Sequence, residues 1–531
     1  MNALLALPIV LPILSAGVSL ASSKARRHQG LVSGGTLFTV WLVSIALLVM
    51  VASGPVVLNI GLWPAPIGIV LVADGLSAIM LTTSVTVTLA VLLYSLAQGA
   101  ADGEEAAPLA VFHPAFLILS AGVSNTFLSG DLFNMYVGFE ILLFASFVLI
   151  TLGGTRDRVR AGTVYIVVSI ISSAVFLTGI ALTYAAVGTV NLAQIAIRMG
   201  DVAPSTVLLI QFVLLIGFGV KAAVFPLSAW LPDSYPTAPA PVTAVFAGLL
   251  TKVGVYGIIR TQTLLFPGDR LALILGLLAI ATMLIGILGA LAQQDIKRLL
   301  SFTLVSHIGY MLWGVSVASS ASLGATVYYA AHHITVQTAL FLVVGLIERI
   351  GGSTSLTRLG SLLKASPLLA LLYIVPAFNL AGIPPGSGFF GKVGLISASV
   401  GRSSAIDWAL IGAGLLTSLL TLYAVARAWN MMFWQEAPEE PSPKPVSPSM
   451  TIATAGLVAV SLGISFLAGP INEYTKNAGA RLLQRSPYIV AVLPPAGNAE
   501  LEEGREDPES SLIPSVEAPT EGQGLRKEEK P

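Results

Sequence analysis

The chain has no cysteine and very few charged residues. Of its 531 residues only 10% are charged, whereas 55% are hydrophobic. Without cysteine there is no disulfide framework, thiolate metal site, iron–sulfur cluster or cysteine nucleophile. The 27 basic and 27 acidic residues cancel, so no basic surface points to nucleic acid. Because soluble domains carry roughly 25% charged residues, the deficit of charge indicates a membrane protein.

Apolar stretches long enough to cross a bilayer follow one another along the sequence. A spanning helix needs about 20 mostly apolar residues. The predicted fold class is therefore an all-α polytopic membrane protein with about fourteen transmembrane helices. These are predicted near residues 2–22, 31–53, 70–97, 111–129, 132–153, 161–187, 204–233, 239–262, 270–292, 297–319, 321–348, 366–400, 405–434 and 450–473.

The distribution of positive charge predicts the orientation in the membrane. Cytoplasmic loops carry an excess of Lys and Arg. The odd-numbered loops one, five, nine, eleven and thirteen hold twelve such residues, whereas the even-numbered loops hold only Arg198, Arg260, Arg270 and Arg402. Both termini are therefore predicted to be extracytoplasmic. The first apolar stretch precedes its positive charges, which is the reverse of a secretory signal. We therefore expect a multi-pass protein of the cell's inner (plasma) membrane.

The end of the chain differs from the rest in composition. After about residue 495 it is rich in Glu, Pro, Ser and Gly, and such a segment cannot bury a core. We therefore divide the chain into a transmembrane domain, residues 1–475, and an extracytoplasmic C-terminal tail, residues 476–531, which we expect to be largely disordered.

Two of the predicted helices, the seventh and the twelfth, are longer than one crossing needs. Residues 204–233 contain Pro226, and residues 366–400 contain Pro384 and Pro385. Proline lacks a backbone donor and clashes with the preceding turn, so each helix is predicted to be broken into two halves. Irregular backbone at membrane depth persists only where it faces protein or a water-filled cavity. A pair of broken helices in the two halves of a chain points to a transport site.

A small set of ionisable residues inside the predicted helices forms the candidate site. Each charged residue costs about 2.5 to 3.5 kcal/mol to place at the bilayer centre, so its presence needs a reason. Counted at 1.5 Å per residue, the candidates lie near the middle of the hydrocarbon core, on six helices. They are Glu140, Lys221, Lys252, His307, His332, His333 and Lys392.

A proton relay explains this set better than isolated salt bridges, the alternative interpretation. Three lysines with one glutamate leave positive charge uncompensated, so they are poorly suited to stabilising the fold by salt bridges. Burial favours a neutral lysine and a nearby carboxylate favours a charged one, so moving one charge changes the protonation of its neighbour. Histidines titrate near neutrality and suit intermediate stations. We expect Glu140 and Lys221 to act as a switch that passes protons toward Lys252, with Lys392 as a terminus.

Neither a cofactor nor a metal ion is predicted. The adjacent His332 and His333 point about 100° apart on a helix and do not form a chelating i, i+4 pair. Residues 386–392, GSGFFGK, imitate a nucleotide-binding loop. However, Val393 stands where a Mg²⁺-binding Ser or Thr is required, and no predicted strand precedes the glycines.

Four segments together resemble a known family. Residues 220–260, VKAAVFPLSAWLPDSYPTAPAPVTAVFAGLLTKVGVYGIIR, are similar to the core of the antiporter-like subunits shared by complex I and the Mrp cation/proton antiporters. So are QQDIKRLLSFTLVSHIGYM, YYAAHHITVQTALF and AGIPPGSGFFGKVGLI. The likeness covers roughly residues 70–435. It implies two inverted five-helix repeats, helices four to eight and nine to thirteen.

The resemblance also implies roles for individual residues. The key glutamate, broken-helix lysine, helix-eight lysine and helix-eleven histidine of the family match Glu140, Lys221, Lys252 and the His332/His333 pair. The sequence leaves open which of the two histidines takes part. In helix twelve, complex I subunits of the closest type often carry glutamate, whereas this chain has Lys392. That lysine makes the chain look most like the D-type subunits of Mrp (Mnh/Pha) antiporters.

The function implied is that of a proton-translocating subunit of a multisubunit Na⁺(K⁺)/H⁺ antiporter, a transporter rather than an enzyme. Other membrane subunits are its expected partners, together with protons and a monovalent cation. Two alternatives stay open: a proton-pumping membrane subunit of NADH dehydrogenase (complex I) or of a membrane-bound hydrogenase, and a non-transporting structural subunit. Whether the cation is Na⁺, K⁺ or Li⁺, and whether it crosses this chain, also stays open.

Overall fold

A computed structural model describes residues 2–22, 26–98, 109–438 and 446–493. After a short 3-10 turn, Asn2–Ala6, the helices and strands follow in chain order. They are α1 Leu7–Ala21, α2 Arg26–Met50, β1 Val56–Asn59, β2 Val70–Ala73, α3 Gly75–Gln98, α4 Leu109–Leu128, α5 Leu132–Ile150, α6 Arg156–Val187, α7 Leu192–Arg198, α8 Pro204–Ala222, α9 Trp230–Ser234, α10 Ala240–Val245, α11 Thr251–Arg260, α12 Ala272–Leu291, α13 Ile296–Val317, α14 Ser320–Gly351, α15 Leu362–Ala365, α16 Pro367–Ala381, α17 Ser387–Arg402, α18 Ala405–Trp429, α19 Pro448–Phe466, α20 Ala468–Gln484 and α21 Ser486–Val492.

The described residues form a bundle of fourteen membrane crossings. Thirteen helical segments are long and apolar enough to span a membrane, and the broken pair α16–α17 supplies one more. The eighth crossing, Ala240–Leu265, joins α10 and α11 through π-helical turns. The first six crossings are α1 to α6, the seventh is α8–α9, the ninth to eleventh are α12 to α14, the twelfth is α16–α17 and the last two are α18 and α19. The all-α polytopic fold is thereby confirmed.

Both predicted helix breaks are present. α8 ends at Ala222 and is followed by Ala223 in the left-handed region, with φ of 58°. α16 ends at Ala381 and is followed by Gly382, with φ of 88°. The prolines that signalled the breaks lie in the irregular segments between the half-helices, where they cost no helical hydrogen bond.

One predicted helix begins too early. The apolar run Val70–Ala73 was expected to open the third crossing, but it is a buried strand that pairs antiparallel with Val56–Asn59, Val56 opposite Ala73. A run of four apolar residues has no periodicity that distinguishes strand from helix. The helix begins one residue after Asp74, whose carboxylate accepts from the Ser77 amide at 2.9 Å.

The predicted domain boundary at residue 475 falls inside α20. This helix buries Thr475, Ala478 and Gly479, a spacing that presents one face, and Gly479 packs directly on Gly324 of α14. Residues 476–493 therefore belong to the helical body rather than to a disordered tail. Residues 494–531 lie outside the described part of the chain, so the predicted disorder there stays a prediction.

A matching pair of backbone bridges supports the two inverted repeats. Asp131 caps the start of the fifth crossing and pairs with Asn191, just after the sixth crossing. Asp295 caps the start of the tenth crossing and pairs with Ser355, just after the eleventh. The two capped helices are five crossings apart, so they begin on opposite sides of the membrane. The same local construction thus recurs upside down, as the repeats four to eight and nine to thirteen require.

Candidate functional site

Six of the seven predicted site residues are enclosed by the bundle. The exposed fraction of these six side chains is small, whereas Glu140 is half-buried. The fractions are 0% for Lys252, His307, His332 and His333, 3% for Lys221 and 6% for Lys392. These six side chains therefore face other helices rather than the surface of the bundle.

Lys252 lies in the eighth crossing next to a π-helical turn. Its ammonium donates to the carbonyl oxygen of Ala247 at 2.7 Å, and Ala247 belongs to the π-helical segment Phe246–Leu250. Such turns are frequent at functional sites because they disturb the regular carbonyl pattern. In the described part of the chain no carboxylate lies within 4 Å of this ammonium. Its hydrogen-bond acceptor is a neutral group.

His333 and His307 continue the row from α11 toward α13. Their ring centroids are 5.3 Å apart, and neither ring nitrogen of His333 has a hydrogen-bond partner within the described residues. Beyond His307, the Tyr310 ring lies between the histidine and Lys392, with its centroid 5.5 Å from that of His307 and 4.8 Å from the Lys392 ammonium. On the other side, the π-helical segment that binds the Lys252 ammonium packs against α14 next to His333. The spatial order is therefore Lys252, His333, His307, Lys392.

His332 faces a different set of partners from its neighbour. Its Nδ1 lies 2.8 Å from the Ser387 hydroxyl, which donates to Asn379 at 3.1 Å. Ser387 and Asn379 flank the break between α16 and α17. The 100° rotation between adjacent helix positions thus sends His332 to the break and His333 to the lysine row.

Lys392 is held by the end of a half-helix. Its ammonium donates to the carbonyl oxygens of Leu380 and Ala381 at 3.2 and 2.9 Å and lies 4.8 Å from the centre of the Tyr310 ring. The last carbonyls of a helix lack partners within it and carry a partial negative charge. The break in the twelfth crossing therefore supplies acceptors for a buried cation without any fixed anion.

Glu140 and Lys221 do not form an ion pair among the described residues. Glu140 lies one turn after Tyr136 on α5, and its Oε1 has no hydrogen-bond partner among the described residues. The Lys221 ammonium lies 5.6 Å from the centre of the Tyr165 ring. The switch predicted for this pair stays a prediction.

Their helices nevertheless touch through aromatic side chains, with α6 packed against both. Phe139, next to Glu140, and Phe218, one turn before Lys221, have ring centroids 5.8 Å apart. The two charged groups are thus carried by helices in contact. A side-chain reorientation, rather than a rearrangement of the bundle, is the smallest change that alters their separation.

Comparisons with known proteins give the family. The family described as "NADH:quinone oxidoreductase/Mrp antiporter, TM" matches residues 129–421. A protein of Alkalihalophilus pseudofirmus, named as the D-type subunit of a Na(+)/H(+) antiporter, is 39% identical over 500 residues, which cover 93% of this chain and 100% of the relative. The chain belongs to this antiporter subunit family. A Bacillus subtilis protein of the same name is 36% identical, with 93% and 100% coverage.

Solved structures show the same fold. A chain of the Mrp complex from Dietzia sp. superposes with a TM-score of 0.86 at 31% identity, covering 93% of this chain and 99% of that one. A chain of an archaeal membrane-bound sulfane sulfur reductase gives a TM-score of 0.84 at 24% identity, covering 93% and 100%, which shows the fold alone. The resemblance inferred from the four sequence segments is confirmed.

One charged group of this family member was misplaced by sequence reasoning. Arg260, counted as a loop residue, is buried inside the eighth crossing, where it pairs with both Asp74 carboxylate oxygens at 2.6 and 2.8 Å. Burial alone would raise the pKa of Asp74, but the charge and hydrogen bonds of Arg260 hold it below its usual value. Tyr256, between Lys252 and Arg260 on α11, lies 3.3 Å from the guanidinium. Lys252, Tyr256 and Arg260 are spaced i, i+4 and i+8, and this spacing could have indicated that they share one face of the helix.

Proposed function

We propose that this chain is the proton-translocating D-type subunit of a multisubunit monovalent cation/proton antiporter. The observation that carries the proposal is the buried row Lys252, His333, His307 and Lys392, in which both lysines are bonded to neutral carbonyls. A lysine locked to a carboxylate stays charged, whereas one held by carbonyls releases its proton when the local field changes.

The magnitude of the coupling suits a relay. Two unit charges about 10 Å apart interact by about 1.7 kcal/mol at an effective dielectric constant of about 20. That energy changes the protonation equilibrium of the neighbour by somewhat more than tenfold. Charging one station therefore disfavours charge on the next, and a proton arriving at one end promotes release at the other.

The Glu140–Lys221 pair is proposed as the input to this row. Glu140 is half-buried on the side of the bundle and lies on a helix in contact with α8. When its carboxylate approaches Lys221, the ammonium is stabilised; when it withdraws or is neutralised, burial favours loss of the lysine proton toward Lys252.

The partners of this chain are proposed to be other membrane subunits of one antiporter complex in the plasma membrane. Support comes from relatives named as D-type subunits of Na(+)/H(+) antiporters and from the solved Mrp complex. We propose Na⁺ as the exchanged cation on the same ground, with both chain termini extracytoplasmic because of the loop charges. This assignment makes the chain a transporter subunit rather than an enzyme.

The test is exchange activity in vesicles from cells that express the complete operon. Fluorescence of a ΔpH probe is followed after adding Na⁺, K⁺ or Li⁺ in turn. We expect Lys252→Ala to abolish the cation-dependent signal while the complex still assembles, because the first station of the row is lost. Lys364→Ala, a matched change at an exposed lysine of α15, is the control. Wild-type exchange by Lys252→Ala would refute the proposed row.

A further inference from the structure

Tyr329 lies at the centre of the histidine cluster and has no role in the relay described so far. The side chain is fully buried in α14, and its hydroxyl lies 2.7 Å from His307 Nδ1. Its ring centroid is 5.3 Å from those of both His332 and Tyr310. A polar group in direct contact with a relay histidine influences how that histidine takes up a proton.

The hydrogen bonds around His307 assign its tautomer. The Thr421 hydroxyl donates to the Thr417 carbonyl oxygen at 2.7 Å, so its oxygen is left as an acceptor toward His307 Nε2, 3.4 Å away. Nε2 therefore carries the hydrogen of the neutral ring, and Nδ1 carries the lone pair. It follows that the Tyr329 hydroxyl donates to Nδ1.

The tautomer of His307 determines which ring nitrogen takes up an incoming proton. Since Nε2 already carries a hydrogen, an incoming proton binds at Nδ1, where the Tyr329 hydrogen now points. The hydroxyl must turn about its C–O bond so that its oxygen accepts from the new Nδ1–H. No O–H bond breaks, the tyrosine stays neutral, and the positive charge resides on the His307 ring until the proton leaves.

We propose that Tyr329 is a positioning residue of the relay, which holds neutral His307 in its Nε2–H form and reverses its hydrogen bond each time His307 takes a proton. The inference rests on the proposed function and adds a residue to it. It predicts that the hydroxyl, and not only the aromatic ring, is needed for rapid exchange.

The first experiment is Tyr329→Phe in the complete complex, assayed for cation-dependent ΔpH in vesicles. We expect normal assembly and a fall in exchange rate of at least about tenfold, less than the roughly 10²- to 10⁴-fold contributed by a group that itself transfers the proton, because Tyr329 only orients His307. Tyr373→Phe is the matched control, because its equally buried hydroxyl donates to the Val425 carbonyl oxygen at 3.2 Å, outside the cluster. The control should keep the wild-type rate.

Two further variants separate positioning from packing. A monofluorinated tyrosine introduced at position 329 keeps the hydroxyl and should restore most of the rate lost in Tyr329→Phe. Because Tyr329 acts through His307, adding Tyr329→Phe to His307→Asn should cause no further loss. A wild-type rate in Tyr329→Phe, failure of the fluorinated residue to restore exchange, or an additive double mutant would each overturn the inference.

If Tyr329→Phe does not assemble, a series of increasingly fluorinated tyrosines decides the question. A more acidic hydroxyl binds Nδ1 more tightly, so the rate should fall along the series; a constant rate would count against the proposal. Lys252→Ala and Lys392→Ala vesicles distinguish this failure from failure of the proposed function. Inactive lysine variants beside an active Tyr329→Phe refute only the role of Tyr329, whereas active lysine variants refute the relay.

Discussion

Replacement of Lys392 by arginine separates a proton-carrying lysine from a structural one. Arginine keeps a positive charge and can still donate to the carbonyls of Leu380 and Ala381, but its guanidinium does not release a proton in proteins. We expect Lys392→Arg and Lys392→Ala both to block cation/proton exchange while the complex assembles. If the charge served only to hold the broken helix together, the arginine variant would remain active.

The contacts of Lys392 bear on the proposed release of its proton. Two hydrogen bonds from a charged donor contribute about 1.5–3 kcal/mol each, and the contact with the Tyr310 ring contributes about 0.5–2 kcal/mol. Against this stands a desolvation cost of several kcal/mol for a buried ion. The charged and neutral forms are thus close enough in free energy for a neighbouring charge, at about 1.7 kcal/mol, to shift the balance.

The assay is the initial rate of cation-dependent ΔpH formation in vesicles with equal amounts of assembled complex. Lys392→Met keeps most of the side-chain volume but lacks the ammonium. It controls for the loss of packing beside Gly382, since a Cβ built on Gly382 would lie 3.1 Å from the Lys392 ammonium. We expect methionine, alanine and arginine to be equally inactive. Wild-type exchange in Lys392→Arg would show that no proton leaves this residue.

The remaining predictions concern the two charge pairs, the C-terminal segment and the isolated chain. Glu140→Ala and Lys221→Ala should each abolish exchange in assembled complexes, with the double mutant no worse than either, in the same ΔpH assay. Asp74→Asn should destabilise the protein by about 3–5 kcal/mol, because it leaves Arg260 without its carboxylate partner. Since the pKa of Asp74 is lowered in the folded protein, the wild type should lose this stability only at acidic pH, where Asp74 becomes protonated. Thermal unfolding measured at several pH values tests both expectations. Truncation after residue 495 should leave assembly and exchange unchanged, and the isolated full chain in proteoliposomes should be inactive.

The crossings were predictable because each is a long apolar run with a clear end. The breaks were equally predictable, since proline acts locally on the backbone. The pairing of β1 with β2 was missed because Val70–Ala73 is too short to show the hydrophobic periodicity that distinguishes a strand from a helix. α20 was missed because it is polar on average: its burial depends on packing against α14, which local hydropathy does not report.

The place of each site residue along its crossing was predictable, but its lateral neighbours were not. Counting residues along a helix gives height in the membrane, whereas contacts depend on how each helix is turned about its axis. Thus His332 and His333 share one height, yet one bonds Ser387 and the other lies beside His307. Similarly, His113 is near the start of α4, yet it is only 8% exposed and lies 3.1 Å from the Ser33 hydroxyl of α2.

The three relay lysines share one structural feature that connects fold to mechanism. Each lies beside irregular backbone: Lys221 at the end of α8, Lys252 at the π-helical turn containing Ala247, and Lys392 at the break after α16. Irregular backbone in a membrane protein leaves carbonyl groups that need donors, and a buried ammonium needs acceptors that do not fix its charge. At Lys252 and Lys392 the ammonium groups donate hydrogen bonds to such carbonyl oxygens. In the proposed relay, the irregular backbone beside these two lysines therefore serves as the binding site for a removable proton, and a lysine paired with a carboxylate would not fill that role.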